Sequence, residues 1–330
     1  MKRPPEAPDG EIPMGRFGLV FPGQGSQHPG MGQGLYRGHQ SVRDLFAEAG
    51  DVVGRDMVSL CFTGPQELLD LTVNTQIAVL TAELAAWRAF SGRVEAKPLV
   101  MAGHSLGEYA ALHAAGAVNL RDCLSLVSRR AEFHQEAVPM GEGAMAAILG
   151  LSREEVEALC RDRDREGHAV TVSIENAPGQ IVISGHTAAV SEVVAAAGTR
   201  EGIRAVLLPI SVPCHCRLLQ GAAGRFTDAL RNVEFRDCDV PVIPNCDPSL
   251  LHSRERTRDL LVRQIISPVR WRETIERMAE MGVDTIVEIG PKRILSGLIR
   301  RIDRRLRLLN VEDEASLERT ASALNGGMGE

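Results

Sequence analysis

Met101-Ala102-Gly103-His104-Ser105-Leu106-Gly107-Glu108-Tyr109 lies between the apolar run Leu99-Val100-Met101 and the alanine-rich stretch Ala110-Ala111-Leu112-His113-Ala114-Ala115. That order predicts a strand, a sharp turn and a helix. Gly103-x-Ser105-x-Gly107 has the form of a nucleophile elbow, in which small residues let the backbone bend tightly enough to lift a serine hydroxyl off the strand end. A serine so placed is rigidly aimed and sits beside the unpaired amides of the following helix. Two glycines around a serine also occur in ordinary turns, so the pattern alone leaves a structural role open.

Upstream, Phe17-Gly18-Leu19-Val20-Phe21 ends at Pro22-Gly23 and reads as a buried parallel strand leading into the loop Gln24-Gly25-Ser26-Gln27. Open α/β sheets place their chemistry after such strand ends, although glutamines in a flexible turn also simply face water. Helical patterns cover 41–49, 65–71 and 75–90, with Asn74-Thr75-Gln76 at the start of the last, and a further helix covers 120–133. Arg129 and Arg130 fall late in that helix and point about 100° apart, so at most one of them need enter a pocket.

After Met140-Gly141-Glu142-Gly143 the pattern changes. Strand 144–149, helix 152–161, strands 169–175 and 180–184, helix 187–197 and strand 204–210 follow in the order β-α-β-β-α-β of a ferredoxin-like unit. Ser152 and Glu155 form a capping-box pattern at the first of those helices. Asn176, in the turn between two strands, is of a type that more often forms turns than binds ligands. Beyond it, 217–230 and 271–281 read as helices, and 241–243, 285–291 and 305–309 as strands. The predicted architecture is α/β: a larger hydrolase-like domain (14–142 and 211–311) with a central, mostly parallel sheet, interrupted by a small ferredoxin-like α+β domain (143–210). Flexible ends are predicted at 1–13 and 312–330.

The 330 residues are 44% hydrophobic with a net charge of −6, which argues against nucleic-acid binding, as does the presence of only two tryptophans and two tyrosines. Seven scattered cysteines fit a reducing, cytoplasmic setting better than a disulfide framework. Cys214-x-Cys216 is too close for the common zinc pair spacing and has no second pair, so no metal is expected. No stretch is long and apolar enough to span a membrane.

Ser105 needs a base, and nine histidines are available. His104 abuts the serine but leaves the backbone on another side. His215 occupies a Pro213-Cys214-His215-Cys216 turn at a strand end, where either a structural or a catalytic histidine fits. A nucleophilic Cys214 or Cys216 is disfavoured, since neither is on an elbow. No acid between the serine and the histidine announces itself as a third triad member.

Taken together, Gly103-His104-Ser105-Leu106-Gly107-Glu108 and Phe21-Pro22-Gly23-Gln24-Gly25-Ser26-Gln27 resemble the malonyl-CoA:acyl carrier protein transacylase family, including the acyltransferase domains of fatty acid and polyketide synthases. Arg130, Gln135-Glu136-Ala137-Val138-Pro139, Asn176-Ala177-Pro178-Gly179-Gln180, Pro213-Cys214-His215-Cys216 and Glu288-Ile289-Gly290-Pro291 extend the resemblance, in the family's order, from about Phe17 to Ile302. It implies Ser105 as nucleophile and His215 as base. Backbone amides of Gln24 and Leu106 would form an oxyanion site, and the Gln264 carbonyl would orient the imidazole. Arg130 would bind the substrate carboxylate, with His104 and Asn176 shaping the cleft. Two departures stand out: Ile77 follows Thr75-Gln76 where the family usually has proline, and Cys214 precedes the histidine where it usually has serine.

The implied reaction moves malonyl from malonyl-CoA to the phosphopantetheine thiol of an acyl carrier protein, for fatty acid or polyketide synthesis, with no permanently bound cofactor. The resemblance also implies a monomer. An acyl hydrolase, the transacylase component of a malonate-processing complex and a non-catalytic carrier-protein docking subunit are the alternatives.

Overall fold

The computed structural model describes residues 16–210 and 212–325; the expected arm at 1–13 lies outside the described residues. Strands β1 (Phe17–Phe21) and β2 (Met101–Gly103) are followed by β3 (Gly143–Leu149), β4 (Val170–Ala177), β5 (Gln180–His186), β6 (Arg204–Leu207), β7 (Val242–Ile243), β8 (Thr285–Ile289) and β9 (Arg307–Val311). They form two sheets, one ordered β7-β2-β1-β8-β9 and the other β4-β5-β3-β6.

Every pairing in the five-stranded sheet is parallel, with β1 at its centre, and both of its faces are covered. Side chains alternate along a strand, and β1 shows the result: Leu19 and Phe21 enter one core while Val20 enters the other. The first core includes helices Thr72–Ser91, Gly107–Ala114, Leu120–Ala137 and Gln220–Leu230; the second is closed by Trp271–Glu280 and Ile294–Ile302. Thr72–Ser91 is buried nearly all round, which explains why its apolar residues show no single face.

The second sheet is antiparallel throughout, and helices Arg153–Arg161 and Thr187–Gly198 pack with it around a separate core. Its strand order is that of a ferredoxin-like unit. The Ser152–Glu155 capping box is formed in both directions. The antiparallel sheet is tied to the segment ahead of helix Trp271–Glu280 by a single parallel bridge between Ile174 of β4 and Val269.

Several expectations need correction. The tail is not frayed from 312: Glu314–Asn325 is a helix in which Leu317, Ala321 and Leu324 are buried, and Asp313 Oδ1 accepts the Ser316 N–H near its start. Its small residues form a narrow apolar stripe that a reading by polarity overlooks. Helices Gln33–Gly38, Met57–Phe62, Thr257–Ile266 and Ile294–Ile302 were not among those expected, and β6 stops at Leu207 instead of residue 210. The long helix begins at Thr72, not 75, and Ile77 is buried inside it. Among the described residues no helix is long and apolar enough to cross a membrane, and no group of three or more His, Cys, Asp or Glu side chains could hold a metal ion.

Candidate active site

The elbow is built by contact. A Cβ on Gly103 would lie 1.9 Å from the carbonyl carbon of Gly107, and one on Gly107 would lie 2.2 Å from the Phe21 carbonyl oxygen, so only glycine lets strand, turn and helix approach this closely. Ser105 itself has φ 53°, a left-handed conformation that L-residues adopt at a cost of roughly 1–2 kcal/mol. His215, φ 60°, and Lys292, φ 63°, are the other non-glycine residues with positive φ among those described.

The two strained residues Ser105 and His215 face each other. The Ser105 hydroxyl is 2.7 Å from His215 Nε2, and the Nδ1–H donates to the Gln264 carbonyl at 2.8 Å, which fixes the tautomer with Nε2 free to accept. His215 is 1% exposed. Loss of water, followed by the positive Arg130, holds its pKa down to about 3, while the Gln264 carbonyl works in the opposite direction. The imidazole is therefore neutral and able to take a proton at physiological pH.

Arg130 is 2% exposed, whereas its neighbour Arg129 is exposed. Nη1 donates to Gln76 Oε1 at 2.7 Å; Nη2 donates to Ser105 Oγ and to Gln264 Oε1, both at 3.1 Å. The guanidinium carbon lies 5.5 Å from the centre of the Tyr109 ring, and Nε has no partner. Among the described residues no carboxylate pairs with this cation. Burying a guanidinium without an anion is costly, and planar paired donors suit a carboxylate.

Gln24, Gln76, His104, Ser105, Leu106, Arg130, Cys214 and His215 surround a small cleft of about 50 Å³, lined on the side of the antiparallel sheet by Met145 and Ile174 and also by Ile210. Among the described residues, neither the Gln24 nor the Leu106 amide donates to another protein group. The expected neighbours His104 and Asn176 touch each other, Nε2 to Oδ1 at 2.9 Å, and so join the elbow to β4; the His104 ring also packs edge-on against Trp271. Burial pushes the His104 pKa down, and neither ring nitrogen reaches Ser105 within the hydrogen bonds of the site. Cys214 is half-buried with Sγ 3.9 Å from His134 Nδ1, and burial pushes its thiol up to about 11.

Three contributors escaped sequence reasoning. The sequence marks Gln76 only as part of a helix start, yet its side-chain oxygen accepts from Arg130. The Gln264 side chain adds a second contact, Nε2 donating to the Ser105 carbonyl at 3.0 Å, beyond the main-chain carbonyl expected of it. Asn245, in a loop after β7, accepts the Ser105 N–H and donates to the Gly103 carbonyl. A lone asparagine just behind the short apolar strand Val242–Ile243 is the available signal.

A family model for the acyl transferase domain matches residues 19–318, which makes the chain an acyltransferase-domain protein. It is 41% identical over 304 residues to the malonyl CoA-acyl carrier protein transacylase of Salmonella typhimurium, covering 92% of this chain and 98% of that one. It is 43% identical over 289 residues to the Escherichia coli K12 protein of the same name, covering 88% and 93%. The structure of the Coxiella burnetii transacylase superposes with a TM-score of 0.91 at 42% identity, covering 94% and 98% of the two chains. A malonyl-transacylase solved in complex with a type II polyketide acyl carrier protein gives 0.90 at 42% identity, covering 94% and 99%. The chain belongs to the malonyl-CoA:acyl carrier protein transacylase family.

Proposed function

We propose that this chain moves a malonyl group from malonyl-CoA to the phosphopantetheine thiol of an acyl carrier protein, through a malonyl ester of Ser105, in fatty acid or polyketide synthesis. Ser105 Oγ bonds to the thioester carbon while its proton passes to His215 Nε2. The carbonyl oxygen becomes an anion that faces the amides of Gln24 and Leu106. Collapse breaks the carbon–sulfur bond, and the proton on His215 goes to the departing coenzyme A thiolate. The carrier thiol then gives its proton to His215 and attacks the ester carbon; the carbon–Oγ bond breaks and Ser105 recovers the proton.

The observation that carries this reading is Arg130: a cation 2% exposed, 3.1 Å from the serine oxygen, whose polar partners are neutral. A malonyl ester on Ser105 brings a carboxylate into the same space, which a simple acyl chain does not. The Gln264 carbonyl takes the place that a carboxylate fills in a hydrolase triad, and gives a dyad with less charge compensation. The division into a larger domain (14–142 and 211–311) and an inserted one (143–210) is part of the proposal, supported by the two separate sheets and their separate cores.

Intact-protein mass after incubation with malonyl-CoA, methylmalonyl-CoA and acetyl-CoA, followed by addition of a phosphopantetheinylated carrier protein, tests the reading. The expected result is a malonyl adduct that the carrier protein discharges and becomes loaded by. Discharge to free malonate without loading identifies an acyl hydrolase, and no adduct at all leaves only a docking role; either overturns the proposal.

A further inference from the structure

The geometry points to Asn245 as a positioning residue for acyl transfer: its side-chain amide holds the Ser105 peptide in the orientation that aims both the hydroxyl and the following amide. The inference rests on Ser105 being the nucleophile.

A residue at φ 53° between a strand and a helix has its N–H paired with neither element. Such a group, if buried without a partner, carries a desolvation cost, and neither element fixes its orientation. Here Asn245 Oδ1 accepts that N–H while Asn245 Nδ2 donates to the carbonyl of Gly103, two residues earlier. One planar amide thus spans the bend and ties its strand side to its apex. On the other side, the Ser105 carbonyl accepts from Gln264 Nε2 at 3.0 Å. The Ser105 carbonyl and the Leu106 N–H belong to one peptide plane, so a twist at Ser105 swings the Leu106 N–H off the place where an oxyanion forms.

Asn245 is itself fixed. It is 1% exposed, and its backbone N–H donates to Glu108 Oε2 at 2.8 Å. Glu108 Oε1 accepts from His252 Nε2 at 2.9 Å, and His252 Nδ1 lies 3.1 Å from Thr257 Oγ1. Thr257 opens the helix Thr257–Ile266, which carries Gln264 at its far end. Glu108 sits in the first turn of the elbow helix. The chain of contacts therefore joins the elbow, the loop after β7 and the helix that orients His215. Glu108 and His252 are the titratable groups of this chain of contacts.

The test measures the rate constant of Ser105 acylation by rapid quench and mass, and the Kd for malonyl-CoA, in the wild type, Asn245→Ala and Asn245→Asp between pH 5 and 8. For Asn245→Ala the acylation rate is expected to fall about 100-fold, the size of effect that misplacement of reacting groups by about 1 Å produces, while Kd changes less than about 3-fold. Asn245→Asp keeps an acceptor for the Ser105 N–H but, when ionised, sets a carboxylate oxygen against the Gly103 carbonyl and close to Glu108. Its rate should be low at pH 8 and climb toward the wild type as the pH falls, because the protonated acid donates where the amide did. If Asn245→Ala does not fold, that pH-dependent recovery still decides the matter. Wild-type acylation by Asn245→Ala, or a flat profile for Asn245→Asp parallel to the wild type, overturns the positioning role. Absence of an adduct on wild-type Ser105 instead overturns the reading on which it rests.

Discussion

Arg130 Nη2 lies 3.1 Å from Ser105 Oγ, so a buried, permanently charged group shares the nucleophile with the neutral base His215. Its remaining polar contacts are to the amide oxygens of Gln76 and Gln264, which orient the cation without neutralising it. A substrate carboxylate is the group that would complete the arrangement.

Arg130→Ala should depress malonyl transfer far more than acetyl transfer. Losing a buried charged contact commonly costs about 2–5 kcal/mol, a factor of roughly 30 to several thousand in rate if the contact persists in the transition state. Arg130→Lys should restore only part, since lysine keeps the charge and loses the planar pair of donors. The measurement is kcat/KM for both acyl-CoAs with one carrier protein; equal losses would mean that Arg130 supports the fold or a part of coenzyme A common to both.

The pH profile of kcat/KM reports the free protein, in which His215 is held near pKa 3 by burial and by Arg130. No acid limb centred near the ordinary histidine value of about 6.5 is therefore expected. Stability behaves differently. The unfolded chain takes up a proton at His215 below about pH 6.5 and the folded chain does not until near 3, so stability is fully present above the first value and is lost as pH falls toward the second. Thermal melts from pH 7 to 4 should show a falling Tm while kcat/KM of the still-folded protein holds level; an apparent pKa near 6.5 in kcat/KM contradicts the assignment.

Cys214→Ser should retain malonyl transfer within a few-fold. The thiol lines the cleft, yet it is pushed up to about 11 and makes only a long contact to His134, so it is neither a ready nucleophile nor a hydrogen-bond anchor. Loss of the acyl adduct in this variant, with His215→Ala acylating at normal rates, would reverse the roles given to the two neighbours.

Glu83 presents a different kind of test. Its side chain is fully buried close to Gly290, where Pro22 also packs, and neither oxygen has a partner. Burial, then the nearby Glu288, raises its pKa well above the usual carboxylate range. The folded chain thus holds a proton that the unfolded chain releases above about pH 4.3, so stability falls as pH rises through that interval. Glu83→Gln should raise Tm at pH 8 by a few degrees and leave it nearly unchanged at pH 4. A Tm difference independent of pH would show that Glu83 is not held protonated.

What the sequence made legible follows from the range of the forces involved. Gly103-x-Ser105-x-Gly107 announces its own turn, because the approach of Gly103 to Gly107 that demands glycine occurs within five residues, even though Gly107 also packs against the distant Phe21 carbonyl. The β-α-β-β-α-β order and the Ser152 capping box are equally local, and both stand in the structure. Gln76 and Asn245 act across 54 and 140 residues of chain, through hydrogen bonds that carry no local signature. The helix Thr257–Ile266 leaves little local signal for a related reason: its start uses no side-chain cap, and its stability comes from packing. The tail helix is hard to read from composition because its apolar residues, Leu317, Ala321 and Leu324, are few, although all three are buried.

The most direct test of the central claim is the site of the acyl group. Wild-type protein and Ser105→Ala are each incubated with malonyl-CoA, digested and mapped by mass, and then offered a phosphopantetheinylated carrier protein. The account predicts a malonyl ester on the peptide containing Ser105, discharged to the carrier thiol, and neither adduct nor carrier loading with Ser105→Ala. A malonyl group mapped to any other residue, or undiminished carrier loading by Ser105→Ala, would contradict it.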